Sequence, residues 1–184
     1  MSTSLGFVIR DGLESDIPAC MGLDHHYSTE FVWQMNLEER AGQWNVSFKH
    51  QRLPRVLETA YEADENRLRL ALPSNQCFLV AVAKDSPDIL GYMTMRHEPV
   101  YKAAWIQDVV VSAPYRRRRI GTRLVNIARQ WAKEHQLLQI TIENSTQNYP
   151  GIAFSQQLGF KFCGFNDQYF PNQNIAVFFS QSLR

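Results

Sequence analysis

Cysteine is scarce and poorly placed for cross-linking: the chain carries three, Cys20, Cys77 and Cys163, with no pair at CxxC spacing. An odd, scattered set excludes a disulfide framework and a zinc knuckle and fits a reducing, cytoplasmic setting. An excess of one charge is also missing. Lys and Arg number 19 against 18 Asp and Glu, a net charge of +1, so no overall field draws the chain to nucleic acid or to a membrane surface. No apolar run approaches the roughly 20 residues that span a bilayer. The opening MSTSLGFVIRDG lacks the basic and then apolar pattern of a signal peptide. Repeats, low-complexity tracts and linkers are absent as well. What is left, at 184 residues, is the size of one domain with a substantial core, and residues 1–184 are read as a single unit.

The informative stretch runs from Trp105 to Lys133, WIQDVVVSAPYRRRRIGTRLVNIARQWAK. Trp105 to Val111 is β-branched and aromatic, closed by Ser112, Ala113 and Pro114, and reads as a strand. From Ile120 the period changes. Leu124, Ile127, Ala128 and Trp131 continue an i, i+4, i+7, i+8, i+11 stripe, which is an amphipathic helix. Between the two lie Arg116, Arg117, Arg118 and Arg119, then Ile120, Gly121 and Thr122. A cationic cluster and a glycine at the start of a helix, where free N–H groups and the positive dipole end gather, outline an anion site. A solvated patch or a nucleic-acid contact is the alternative for any basic run, but a strand-to-helix junction favours a phosphate cradle.

The string Val111-x-x-Pro114-Tyr115-Arg116-Arg117-Arg118-Arg119-Ile120-Gly121-Thr122 resembles the acetyl-CoA signature of the GNAT N-acetyltransferases. Its wider setting, IQDVVVSAPYRRRRIGTRL, is similar to that of streptothricin acetyltransferases. Arg116 matches the opening residue of the signature and Gly121 its closing glycine. Arg119 stands where the family usually has its first glycine, so a positive φ there would cost roughly 1–2 kcal/mol. The resemblance covers about Ile89 to Phe165 and implies a single-domain α/β fold, a mixed sheet of six to seven strands flanked by helices. It also implies acetyl-CoA as co-substrate, held by the Arg116–Thr122 loop and by backbone N–H groups of Val109, Val110 and Val111. An acceptor-side part at about 1–75 and a donor-binding core at about 76–165 follow from it, as does a homodimer as one possible assembly.

Elsewhere the pattern predicts a first strand at Phe7–Arg10, a helix capped by Ser15, and a substrate-side helix through His25, His26, Tyr27, Phe31, Trp33 and Met35. The histidine pair lacks a third ligand at helical spacing, so no metal site is expected. Asn36 to Asn75 predicts a short edge strand near Trp44–Lys49 and a helix over about Pro54–Ala63. Gln76–Ala83 and Ile89–Arg96 read as a hairpin about Asp85–Asp88, and Leu137–Glu143 as a strand joined to Trp105–Val111 by a right-handed parallel crossover. A short helix from Pro150 ends at Gly159, and strands follow at Phe160–Gly164 and Asn174–Ser180.

Acetyl transfer to an amine needs a base for the ammonium, donors for the developing oxyanion, and a proton for the leaving thiolate. The GNAT pattern places Asn and, seven residues on, Tyr before a Gly-Phe pair. Here Asn148 and Gly159-Phe160 match, but Ser155 stands at the tyrosine position. A serine hydroxyl is too weak an acid for the task, which leaves it to orient sulfur or hold a water. Tyr169, then Tyr149 and Tyr115, are the substitutes for the acid, and Asp108 and Glu143 are candidates for the base or for binding the acceptor ammonium. The expected function is N-acetylation of a primary amine, on a small molecule before a peptide or protein. A CoA-binding module without catalysis is the alternative that Ser155 raises.

Overall fold

The computed structural model describes residues 6–184. Residues 1–5, which open the stretch read as free of a signal peptide, lie outside the described residues. In chain order the elements are β1 (Phe7–Asp11), α1 (Ile17–Met21), β2 (His26–Arg40), β3 (Gln43–Ala60), α2 (Glu65–Leu70), β4 (Cys77–Ala83), β5 (Ile89–Glu98) and β6 (Ala103–Val111). Then come α3 (Ile120–Glu134), β7 (Gln139–Ser145), α4 (Tyr149–Gln157), β8 (Lys161–Asn166) and β9 (Ala176–Ser182). Seven strands form one sheet in the order β1-β4-β5-β6-β7-β9-β8. Its neighbours are antiparallel except β6 and β7, which are parallel and joined through α3.

The uninterrupted apolar runs of β4 and β5 are buried because helices cover both faces of the sheet. On one face Leu79, Met93 and Ile106 pack with Ile120, Leu124 and Ala128 of α3 and Ile152 of α4. On the other, Phe78, Val80, Tyr92 and Val110 pack with Ile17 and Cys20 of α1 and Leu68 of α2. The period-2 alternation of the strands sorts these residues to their faces.

Two predicted helices are strands. Residues 24–35 and 54–63 belong mostly to β2 and β3, of 15 and 18 residues, which pair as a separate two-stranded ribbon. Its two-residue turn places Gly42 at φ 76°, a left-handed value that suits glycine. Phe31, Trp33, Met35 and Leu37 alternate with Val32, Gln34, Asn36 and Glu38, and they face Arg52, His50, Phe48 and Val46 across the ladder. The period is therefore 2, and the ring-rich run belongs to one face of a strand. Pro54 is accommodated because the register slips between Thr29↔Leu57 and Phe31↔Arg52, freeing it from donating to the ladder. The ribbon's base docks on the body. Phe31 and His50 meet Tyr149 of α4, and Phe48 meets Phe162 and Phe165 of β8. The helix expected at Pro54–Ala63 lies instead at Glu65–Leu70, capped by Asp64 through Asn66 N–H.

Candidate active site

The site begins where two parallel strands part. Strands β6 and β7 pair only from Ala103↔Gln139 to Ile106↔Ile142. Beyond that point β6 stays with β5 after a bulge at Gln107, while β7 stays with β9 as far as Ser145↔Ala176. A bulge sharpens local twist and so opens the wedge. Ser112 N–H bonds Leu90 carbonyl at 3.0 Å. The antiparallel alternation therefore turns the N–H groups of Val109 and Val111 away from β5, toward the wedge.

Two cavities meet there, of about 460 Å³ and about 430 Å³. Tyr27, Tyr61, Val109, Asn148, Gly151 and Phe154 line both. The larger runs along the α3 loop, touching Val110, Val111, Arg116, Arg117, Arg119, Ile120, Gly121 and Thr122. Arg117 and Arg119 adopt φ of 62° and 64°. Arg119, the N-cap of α3, thus holds the glycine-like conformation that costs a side chain roughly 1–2 kcal/mol. A Cβ on Gly121 would come within 3.2 Å of the Phe154 ring, so the missing side chain keeps the loop against α4. The free first-turn amides, the two left-handed arginines and the bare Gly121 backbone suit a diphosphate.

Four arginines turn out to do different things. Arg116 donates to the carbonyls of Val111 at 2.9 Å, His26 at 2.6 Å and Asp24 at 3.3 Å, and burial lowers its pKa. It ties the loop to β6 and to the start of β2, and its guanidinium has little left for a phosphate. Arg117 and Arg119 remain on the cavity wall, and Arg118 does not reach it.

Asn148 caps α4 by accepting from Gly151 N–H at 2.9 Å and stands on both walls. Ser155 lines neither cavity. Fully buried, it donates to Gly151 carbonyl at 2.9 Å and accepts from Asn144 at 3.0 Å. Contrary to the expectation of a contact with sulfur, it joins α4 to β7.

The smaller cavity takes Glu143 at the end of the paired part of β7, with Glu62, Asp64 and Arg67 on its rim. Burial raises Glu143 to about 7, against the opposing pull of the Tyr169 hydroxyl, which donates to its Oε2 at 2.6 Å. Burial and this carboxylate raise Tyr169 above its usual value, and it lines neither cavity. Tyr169 holds Glu143 in place; it is not disposed as an acid.

Asp108 is 1 % exposed and on neither wall. Thr94 donates to one carboxylate oxygen and Tyr61 to the other. Arg67 Nε lies 3.2 Å from that second oxygen, near enough for an ion pair though off the hydrogen-bond axis. Burial raises the Asp108 pKa and these three partners oppose it. It is caged, unlike the accessible base read from the strand.

Tyr27, Tyr61 and Arg67 were not singled out as site residues. Tyr27 lies in the ribbon and Tyr61 and Arg67 come just after it; the pairing Tyr27↔Thr59 sets the two tyrosines at the wedge, and a helical reading of residues 24–35 and 54–63 hides them. His25 is occupied by Leu23 carbonyl and the Tyr92 hydroxyl. Among the described residues no group of three or more metal-ligating side chains gathers.

The GNAT acetyltransferase family model matches residues 33–160, more than half of the chain. The chain belongs to the GNAT acetyltransferases. GNAT enzymes use acetyl-CoA, and this one is an acyltransferase with the α/β GNAT fold. Streptothricin acetyltransferase of Streptomyces lavendulae is 24% identical over 166 residues, spanning 89% of this chain and 87% of the relative. The crystal structure of nourseothricin acetyltransferase superposes with a TM-score of 0.82 at 18% identity, covering 97% of this chain and 99% of that one. A provisionally named streptothricin acetyltransferase from Bacillus anthracis str. Ames, solved with acetyl coenzyme A, gives 0.76 at 20% identity over 97% and 99% of the two chains.

Proposed function

We propose that this GNAT enzyme transfers an acetyl group to a primary amine of a small molecule, with Glu143 as the general base. One observation carries the reading: a carboxylate with its pKa raised to about 7 faces the cavity beside the parted strands. A base poised near the working pH combines a useful deprotonated fraction with adequate proton affinity. In this reading acetyl-CoA supplies the thioester from the larger cavity, its diphosphate on Arg117, Arg119 and the amides up to Thr122. The N–H groups of Val109 and Val111 face the carbonyl oxygen as charge develops on it. Glu143 takes the ammonium proton so that the nitrogen lone pair can attack. Asp108 stays with Arg67, Tyr61 and Thr94 and keeps the wall in shape. Three carboxylates, Glu62, Asp64 and Glu143, outnumber the one guanidinium on the acceptor side, which suits a cationic amine.

The similarity to streptothricin and nourseothricin acetyltransferases makes a streptothricin the first acceptor to try. Thiol release from acetyl-CoA, followed with a streptothricin, polyamines, amino acids and short peptides, tests the reading. Release with a small amine, lost in Glu143→Gln, is expected. Release with peptides alone would overturn the acceptor class. Coenzyme A binding with no release for any amine would make the chain a binding module.

A further inference from the structure

Ser155 leaves the departing sulfur without a proton donor at that position of α4, and the structure offers one elsewhere. The chain has seven tyrosines, and their positions can be compared one by one. Tyr92 is fully buried with its hydroxyl on His25. Tyr101 is exposed in the turn between β5 and β6. Tyr169 donates to Glu143. Tyr115 and Tyr149 line the donor cavity alone, the latter with its ring against Phe31 and His50. Only Tyr27 and Tyr61 line both cavities, at the junction where donor and acceptor must meet. The Tyr61 O–H is committed to Asp108, with Gln107 carbonyl also in reach. The half-buried Tyr27 makes no side-chain hydrogen bond among the described residues.

We infer that the Tyr27 hydroxyl is the proton donor to the leaving thiolate, so that strand β2 supplies the acid that position 155 does not. The inference rests on the acetyl-transfer reading above and adds a catalytic residue to it. The amine nitrogen, already freed of one proton by Glu143, forms the C–N bond. As the C–S bond breaks, its electron pair goes to sulfur, and the Tyr27 O–H proton passes to that sulfur to give the thiol. The phenolate left behind takes the second proton from the new amide nitrogen, which restores Tyr27. Glu143 returns its proton to solvent, so that ammonium and thioester become amide, thiol and one released proton. Burial and the neighbouring Glu62 raise Tyr27 above its ordinary value, so it enters each cycle protonated. Its place on the ribbon also explains how the site tolerates a serine at position 155: the donor arrives from β2, which borders the same two cavities.

The test is Tyr27→Phe, which removes one oxygen and leaves the ring. With acetyl-CoA and a streptothricin, kcat should fall by about 10²-fold, the lower end of what a positioned acid contributes. KM for acetyl-CoA, the Kd for coenzyme A and the thermal midpoint should stay close to the parent values, and Tyr101→Phe, in the exposed turn between β5 and β6, should keep the parent kcat. A Tyr27→Phe enzyme within about threefold of the parent kcat would overturn the assignment while acetyl transfer stands. So would a loss of kcat matched by weaker coenzyme A binding or a lower midpoint, since Tyr27 would then be structural. Parent enzyme that binds coenzyme A but releases no thiol would instead sink the acetyl-transfer reading, a result visible before any variant is made, and Tyr27 would lose its role with it.

Discussion

Glu143, as the proposed base, links function to stability through one proton. Its carboxyl is raised from the ordinary 4.5 to about 7, so it must lose its proton to work as a base. Under subsaturating substrate, kcat/KM should climb as pH passes through about 7 and level off above it, and Glu143→Gln should lose both the rate and the limb. Stability runs the other way. Below about 4.5 both folded and unfolded states hold the proton. Between 4.5 and 7 the unfolded chain gives it up first, so stability falls as pH rises, by up to about 3 kcal/mol over the whole interval, and then stays flat. Glu143→Gln keeps an oxygen for Tyr169 and removes the buried charge. Urea unfolding should therefore show the variant more stable than the parent at pH 8 and similar to it at pH 4. Arg119 offers a second residue-level test, because φ of 64° strains any side chain. Both Arg119→Gly and Arg119→Ala lose the charge, yet only glycine relieves the backbone. The glycine variant should be the more stable of the two by about 1 kcal/mol in urea unfolding.

At the scale of elements, the loop into α3 and the β2–β3 ribbon carry opposite sensitivities. The loop is packed to its limit at Gly121, where even a methyl group would press Phe154 at 3.2 Å. Gly121→Asp brings bulk and negative charge to the place assigned to a diphosphate. Coenzyme A at a hundredfold over Kd should stabilise the parent by about 2.7 kcal/mol. That thermal shift should vanish in the variant, and a shift of parental size would show that the loop has been misplaced. The outer ribbon should be nearly indifferent. Leu37 and Val46 are exposed, Trp44 is 75 % exposed, and the docking aromatics sit at the base. Replacing residues 37–46 by Asn-Gly, a favoured two-residue hairpin turn, closes the ladder at Asn36↔Ser47. The midpoint should move by only a few degrees and coenzyme A should still bind. A large drop would show that the overhang contributes packing beyond the ribbon.

Across the whole molecule, legibility in the sequence follows the range of the interactions. The β4–β5 hairpin, the β6–α3–β7 crossover, the glycine closing α4 and the arginine loop were readable, because each rests on a period or a turn signal within about 30 residues. At Arg119 the motif raised a positive φ only as a condition, and the structure meets it with φ of 64°. The ribbon was not read, since a ring-rich strand and a half-buried helix look alike until their partner is known, and β2 finds its partner only in β3. The roles of the acidic and hydroxyl groups depended on still longer distances. Asp108 and Glu143 are both carboxylates on strands flanking the wedge. Tyr61 and Arg67, brought in after the ribbon, cage the first, while Tyr169 from beyond β8 steadies the second and leaves it facing a cavity. The sequence alone therefore determined the β6–α3–β7 unit and the glycine-bearing loop proposed to hold the diphosphate, where local hydrogen bonding and helix geometry set the backbone. Which carboxylate faces a cavity, and which tyrosine at the junction makes no side-chain hydrogen bond among the described residues, was decided only by tertiary structure. Burial and hydrogen-bond partners set what a titratable group can do, and both are contributed by strands far away in the chain.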